Sequence, residues 1–187
     1  MTTPPAAEIN GGRSSFPALF VPVDAMVLLV GIAASGKSTF AARHFAPTEV
    51  LSSDALRAVV SDDAHRQEAT DDAFDLLHRI LAMRLRRGRL TVVDATNVEE
   101  WARRELLSVA RRHRRPSVAI VIDLPLVLAV ERNAARAAPR PPPAALRQQH
   151  RWLTSSLPTL ADEGFASVHY LRSAEEIDGA RTERSPR

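Results

Sequence analysis

The segment that most restricts how this chain can fold is residues 31–38, Gly-Ile-Ala-Ala-Ser-Gly-Lys-Ser. In the pattern Gly-x-x-x-x-Gly-Lys-Ser, backbone N–H groups surround a di- or triphosphate, the lysine reaches the β- and γ-phosphate oxygens, and the serine hydroxyl ligates Mg²⁺. Residues 26–30 before it are all apolar and predict a buried strand, and residues 38–45 after it predict a helix. The order strand, glycine-rich turn, helix predicts a P-loop, in which the helix N-terminus also favours a bound anion.

The lysine of this segment, Lys37, is the only lysine in the chain, and the other 24 cationic side chains are arginines. Lysine is a compact point charge and arginine a planar fork, so they are not interchangeable in a narrow phosphate site. Ala34 stands where a further glycine is common, and we expect it to be tolerated. The residues that we expect to contact the nucleotide in this loop are Gly31, Ala34, Ser35, Gly36, Lys37, Ser38 and Thr39.

Apolar segments alternate with helical patterns along the rest of the chain. Buried strands are predicted at residues 90–93 and 118–122, and a short apolar segment at 50–51. Between them, Phe74, Leu77, Leu81 and Leu85 recur at helical spacing. This alternation predicts an α/β fold with a parallel sheet flanked by helices and with functional residues at the carboxyl ends of the strands.

Length and composition predict one domain and restrict its environment. A chain of 187 residues that is 45% hydrophobic fits one core. We expect a disordered segment at 1–15, a folded domain at 16–177 and a flexible tail at 178–187. With no cysteine, no signal peptide and no apolar stretch long enough to span a bilayer, a cytoplasmic protein without a membrane role is expected. No long amphipathic seam calls for an obligate protein partner.

Asp54 lies 17 residues after Lys37, and Arg57 follows one helical turn later. An alcohol that attacks the γ-phosphorus needs a base for its proton, and Asp54 is the candidate. Arg57 could hold an acceptor phosphate with its two-pronged guanidinium. An acceptor that is both an alcohol and a phosphodiester is the 5′-OH end of RNA or DNA. Alternatively, Ser53 and Asp54 only cap the helix and Arg57 only pairs with Asp54.

Asp94 follows the predicted strand at 90–93, where P-loop proteins often place a carboxylate near the Mg²⁺ waters. We therefore expect Ser38 and Asp94 to form the metal site, with Asp94 in an outer-shell or orienting role. Thr96 or Asn97 could instead cap the helix that runs through Trp101.

Arg132, Arg136 and Arg140 recur at every fourth residue, so at least the first two are expected on one helical face. Such a stripe of like charges becomes favourable over a triphosphate, and the proline-rich residues 139–143 then break the helix. We expect a helical, arginine-bearing lid at about 126–160, with Arg132 acting in catalysis and Arg132 and Arg136 on the nucleotide. The alternative is a solvated arginine face on an ordinary helix.

Several motifs occur together and in order: residues 31–39, Ser53-Asp54-x-x-Arg57, residues 92–97, Glu131-Arg132-Asn-x-x-Arg136, residues 147–150 and residues 163–165. In these motifs the chain resembles the kinase domain of bacterial polynucleotide kinase-phosphatase, an RNA-repair enzyme. The resemblance implies a P-loop kinase fold and phosphorylation of 5′-OH ends of RNA or DNA by ATP or another nucleoside triphosphate, with Mg²⁺. It also implies that Asp54 is the general base, that Arg57 contacts the acceptor, and that Lys37, Ser38, Arg132 and Arg136 engage the donor and its Mg²⁺.

The phosphatase and ligase modules of that family are absent from these 187 residues, so a stand-alone kinase is expected. Two other functions remain open. The same P-loop and base would serve a kinase of a small-molecule alcohol, such as a sugar or an antibiotic, which predicts a small closed acceptor pocket. A basic groove open at both ends would favour a strand instead. The third hypothesis is a nucleotide-dependent switch without turnover.

Overall fold

The computed structural model describes residue 16, residues 18–137 and residues 140–186 of the chain. The segment expected to be disordered, residues 1–15, lies outside the described residues. The strands are β1 Ala18–Pro22, β2 Met26–Val30, β3 Val50–Ser52, β4 Thr91–Asp94, β5 Ser117–Ile122, β6 Ser167–Leu171 and β7 Arg181–Ser185. The helices are α1 Lys37–His44, α2 Ser53–Ser61, α3 Thr70–Arg86, α4 Glu100–Arg112, α5 Leu126–Ala134, α6 Pro143–Ser156 and α7 Ala174–Gly179. None of the described helices has the length and apolarity needed to cross a bilayer.

The main sheet has five strands in the order β3-β4-β2-β5-β6, and every neighbouring pair is parallel. Its central strand β2 is buried along its whole length, because strands on both sides and helices on both faces cover it. The α/β fold with a parallel sheet flanked by helices is thereby confirmed.

Two apolar clusters cover the two faces of this sheet, because side chains alternate along a strand. Met26 and Leu28 of β2 pack in the cluster that includes leucines of α3, α4 and α6. Val27 and Leu29 pack in the other cluster, together with Phe40 of α1. The sheet is thus a rigid layer between two sets of helices.

The parallel arrangement brings the functional segments to one edge. Ser52, the last residue of β3, pairs with Asp94, the last residue of β4, and Asp94 pairs with Leu29 near the end of β2. The P-loop follows β2 and helix α2 follows β3 directly. The phosphate-binding loop, the start of α2 and Asp94 therefore meet at the carboxyl edge of the sheet.

The expected flexible tail at 178–187 is corrected for residues 181–185, which form β7 and pair with β1 in a second, two-stranded parallel sheet. Its sequence, Arg-Thr-Glu-Arg-Ser, is polar because most of the strand stays exposed, so it carries no apolar pattern. Arg184 holds it in place by an ion pair of 2.9 Å with Glu49 and by lying over the ring of Phe45.

Candidate active site

The P-loop has the backbone geometry that its sequence predicts. Gly36, with φ of 107°, precedes the first residue of α1, in the left-handed region that favours glycine. A Cβ on Gly31 would lie 2.7 Å from the backbone oxygen of Ile122, so a side chain cannot fit there. Ala34 has φ of 62°, which explains why a glycine is common at this position. The first N–H groups of α1 therefore face the loop as donors for an anion.

Lys37 lies buried at the start of α1, and its Nζ donates to the backbone oxygen of Ile32 at 2.8 Å. The pKa of Lys37 is lowered to about 8, mainly by burial and to a smaller extent by the charge of Arg136, whereas the carboxylates of Asp94 and Asp54 oppose this shift. The buried ammonium is therefore incompletely compensated, and an added phosphate would stabilise it.

Asp94 lies next to Ser38, whose hydroxyl donates a hydrogen bond to its carboxylate. Burial raises the pKa of Asp94, against the effects of that hydrogen bond and of the Lys37 charge. A hydroxyl and a carboxylate oxygen side by side are hard ligands that suit Mg²⁺, which binds through one or two protein oxygens, phosphates and water. The residues present therefore fit the predicted metal.

Asp54 and Arg57 lie together on the first turns of α2. Arg57 donates from Nη1 to Oδ1 of Asp54 at 2.8 Å and to the backbone oxygen of Ala64 at 2.6 Å, and from Nε to Oγ1 of Thr70 at 3.3 Å. Arg57 is buried, whereas the Asp54 side chain is 74% exposed. Within the described residues, Nη2 of Arg57 has no hydrogen-bond partner. A fixed guanidinium with one free nitrogen, Nη2, thus lies beside an accessible carboxylate.

The alternative interpretation, in which Ser53 and Asp54 cap α2 and Arg57 pairs with Asp54, is confirmed for the ion pair and wrong for the cap. The Asp54–Arg57 pair forms, but the side chain that caps α2 is Ser52, which accepts from the N–H of Ala55. Ser53 and Asp54 are the first two residues of the helix itself. Neither is needed as the cap, so Asp54 remains available for chemistry.

The lid arginines separate into two positions. Helix α5 ends at Ala134, so the prediction that Arg132 and Arg136 share a helical face is wrong, and Arg136 lies in the following turn. Arg140 holds this turn by donating to the backbone oxygens of Ala134 and Arg136, which would otherwise be unpaired at the helix end. Arg132 donates from Nη1 to the backbone oxygen of Ser35 at 3.2 Å. Arg132 thus lies against the P-loop, and Arg136 lies where its charge reaches Lys37.

Gln149, on helix α6, is a site residue to which the sequence analysis assigned no role. Its Oε1 accepts a hydrogen bond of 2.8 Å from the N–H of Ala33 in the P-loop. The segment at 147–150 was noticed as a motif, but only the tertiary structure brings it to Ala33, which is 116 residues away in the chain. The lid therefore contacts the P-loop through both of its helices.

Arg103 on α4 is the second residue that the sequence analysis missed. Its side chain is fully buried and pairs with Glu163 through Nε and Oε2 at 2.8 Å and through Nη2 and Oε1. Its Nη1 donates to the backbone oxygen of Asn97 at 2.9 Å, and Asn97 Nδ2 donates to the backbone oxygen of Leu29 at 2.8 Å. The alternative that Thr96 or Asn97 caps the next helix is therefore wrong, because α4 begins at Glu100 and Asn97 holds the loop that follows Asp94.

These groups surround one cavity of about 1020 Å³. The cavity has a half that we expect to hold the phosphate donor, the donor half, which is lined by residues 33–34 and 36–39, Arg136, Arg140 and Gln149. Its acceptor half is formed by Asp54, Arg57, the start of α3 and the segment that leads into α4. Four carboxylates line the acceptor half and make no ion pair with the described residues: Asp71, Asp75, Glu99 and Glu105. The acceptor half is thus acidic, and its charge differs from that of a basic strand-binding groove.

Comparisons with known proteins agree with this fold. Residues 26–156 match the sequence model of a family described as AAA domain. One chain of the Pnkp1/Rnl/Hen1 RNA repair complex is 22% identical with a TM-score of 0.61, over 81% of this chain and 48% of that one. A gluconokinase from Sinorhizobium meliloti 1021 is 16% identical with a TM-score of 0.53, over 84% and 87%. The APS kinase CysC of Mycobacterium tuberculosis, solved with AMPPNP and APS, is 18% identical with a TM-score of 0.53, over 84% and 93%.

No curated protein has a sequence that matches this chain significantly. The three structures named above share the fold of this chain but carry different names. Their likeness therefore bears on the architecture alone, and the chemical class of the acceptor has to be inferred from the cavity.

Proposed function

Because the chain belongs to the AAA domain family and has the fold of P-loop kinases, we propose that it is an ATP-dependent polynucleotide 5′-hydroxyl kinase. The observation that carries the proposal is the Asp54–Arg57 pair in the acceptor half of the cavity. An exposed carboxylate can take the proton of an alcohol, and the free Nη2 of a fixed guanidinium can donate to a neighbouring phosphate. A nucleotide at the 5′-OH end of RNA or DNA carries both groups.

In the proposed reaction the 5′-oxygen attacks the γ-phosphorus of ATP, and a new O–P bond forms. The bond between the γ-phosphorus and the oxygen that bridges it to the β-phosphorus breaks, and ADP leaves. The carboxylate of Asp54 accepts the proton of the 5′-hydroxyl. Lys37, Arg132 and Arg136 neutralise the charge of the phosphates, and Arg57 orients the acceptor.

Ser38 and Asp94 are the residues that would hold Mg²⁺. When bound, the ion neutralises phosphate charge and orients the β- and γ-phosphates. The P-loop residues that would contact the nucleotide are Gly31, Ala34, Ser35, Gly36, Lys37, Ser38 and Thr39, and all of these except Gly31 and Ser35 line the cavity.

A second candidate is a kinase of a small-molecule alcohol, a sugar or an antibiotic, and one observation favours it. The carboxylates of Asp71, Asp75, Glu99 and Glu105 give the acceptor half a negative field that suits a neutral or cationic acceptor better than a long polyanion. The P-loop, Asp54 and the lid would act in the same way on such an acceptor.

The test is transfer of label from γ-labelled ATP, with Mg²⁺, to RNA and DNA oligonucleotides that end in 5′-OH, with 5′-phosphorylated strands as controls. We expect label only on the 5′-OH strands. Binding of ATP without transfer to any strand would contradict the proposal and direct the assay to a panel of sugars and amino sugars.

The variant Asp54→Asn tests the proposed base in the same assay. We expect kcat to fall by about 10²- to 10⁴-fold, because the amide cannot accept the proton, while ATP affinity is nearly kept. Asp62→Asn is the matched control, because Asp62 ends α2 with φ of 56°, a conformation that asparagine tolerates. Most of the activity left in Asp54→Asn would exclude Asp54 as the base.

A further inference from the structure

A second cavity of about 380 Å³ lies between helix α4 and the lid helix α6, beside the acceptor half of the main cavity. Trp101 of α4 and Trp152 of α6 line it, and they are the only tryptophans of the chain. Val98, Glu99 and Trp101 line both cavities, so this groove continues directly from the acceptor half. We call it the tryptophan groove.

Both indole rings are accessible to solvent, with 60% of Trp101 and 40% of Trp152 exposed. Tryptophan has a large apolar surface that is normally well buried, so two exposed rings on one groove suggest a ligand that covers them. The ring of Trp101 is held in place, because its Nε1 donates to Oε1 of Glu99 at 3.2 Å. A fixed ring loses little conformational entropy when a planar ligand stacks on it.

The charges of the groove show which part of a ligand it can hold. Its charged side chains are Glu99, Glu100 and Arg104, and Arg104 is already paired with Glu100. With no excess positive charge, the groove offers little to a phosphate. Aromatic rings, in contrast, stack on any nucleobase regardless of its sequence.

We infer that the tryptophan groove is a stacking subsite for a nucleobase of the acceptor strand, downstream of the reacting 5′ end. This inference rests on the proposed function, and it reconciles a nucleic-acid acceptor with the acidic lining of the acceptor half. The base is held by its ring faces, and only the terminal nucleotide needs Arg57 for its phosphate. The protein therefore contacts the strand only at the terminal nucleotide and at the stacked base.

The groove also connects the acceptor to the lid. Trp152 lies three residues after Gln149 on α6, so the two side chains project from neighbouring positions of one helix. A base that stacks on Trp152 therefore holds α6 in the position in which Gln149 contacts Ala33 of the P-loop. Acceptor binding would therefore favour the position of α6 in which Gln149 contacts the P-loop.

The test compares two 5′-OH oligonucleotides of equal length and charge, one intact and one with abasic sites at the second and third positions. For the unmodified protein we expect kcat/KM to be about tenfold higher with the intact strand, because each stacked base contributes to binding. In Trp152→Ala this ratio should fall to about one, and Trp152→Phe should restore part of it. Met83→Ala, which removes an exposed apolar side chain outside both cavities, should keep the full ratio.

Tryptophan fluorescence gives a reading that does not depend on turnover, because both tryptophans line the groove. The intact strand should quench it more than the abasic strand does. A ratio near one in the unmodified protein, or an unchanged ratio in Trp152→Ala, would overturn the subsite while transfer to strands still upheld the proposed function. Transfer to neither strand would overturn the proposed function and the subsite with it.

Discussion

At the scale of single residues, Lys37 combines a buried position with a proposed role in phosphate binding that needs its charge. Its pKa of about 8 lies below the usual value of 10.5 mainly because burial disfavours the ammonium. Such a group is charged below its folded pKa and neutral above it. A bound triphosphate favours the charged form and therefore raises this pKa again.

The affinity for nucleotide should consequently be highest below pH 8 and fall as the pH rises through the folded pKa of about 8. Above it the free protein must take up a proton on binding, so affinity should fall by up to about tenfold per pH unit. Titration with a non-hydrolysable ATP analogue over this range measures the effect. Lys37→Met should bind weakly and lack this pH step, and the same affinity on both sides of pH 8 in the unmodified protein would contradict the role of Lys37.

Gln149 is the residue that joins the lid helix to the loop. Gln149→Leu removes the acceptor of the Ala33 N–H, so we expect kcat/KM to fall by about tenfold, the equivalent of one hydrogen bond of about 1.4 kcal/mol. Steady-state kinetics measure this loss.

The matched control is Gln148→Leu. Gln148 is the neighbouring residue, and its Oε1 accepts instead from Arg151 on the exposed side of the helix. Equal losses in the two variants would mean that Gln149 contributes only to the stability of α6.

At the scale of elements, the Arg103–Glu163 pair connects α4, the turn that follows the lid helix, and the loop that follows Asp94. Glu163→Gln keeps the shape of the side chain and removes its charge, which leaves the fully buried Arg103 uncompensated. We expect the free energy of unfolding to fall by about 3–5 kcal/mol, as measured by urea denaturation.

The control for this change lies on α4, the helix that carries Arg103. Glu100→Gln breaks the exposed pair with Arg104 and should cost less than about 0.5 kcal/mol. Similar losses for Glu163→Gln and Glu100→Gln would show that the buried pair adds nothing beyond a surface ion pair.

At the scale of the whole molecule, β7, near the end of the described chain, pairs with β1, near its beginning. Removing residues 181–187 should lower the free energy of unfolding by about 1–3 kcal/mol, since the ladder to β1 and the Arg184 contacts are lost. Nucleotide affinity should be kept, because the P-loop follows the other sheet. Thermal unfolding and a nucleotide titration measure the two effects.

Removal of residues 186–187 alone is the control, because it leaves β7 intact. A melting temperature unchanged by the longer deletion would show that these residues act as the flexible tail first expected from the sequence.

The sequence by itself determined the P-loop, the alternation of strands and helices, the position of Asp94 at the end of a strand and that of Asp54 just after one. These features depend on residues that are close together in the chain. Five consecutive apolar residues form β2, and the glycines of residues 31–38 permit the tight turn of the P-loop that follows it. The end of α5 was not predicted, because the carbonyls there are satisfied by Arg140, which follows the helix.

Only the tertiary structure decided which distant groups meet. It brought Gln149 to Ala33, Arg103 to Glu163, and β7 to β1, and it lined the acceptor half with four carboxylates from α3 and the α4 region. Polar side chains such as these carry no periodic signal, since their role depends on a partner that arrives through the packing of the apolar core. For the same physical reason the sequence determined the P-loop, which is one continuous segment, and the fold decided which distant side chains meet it and what charge the other half of the cavity carries.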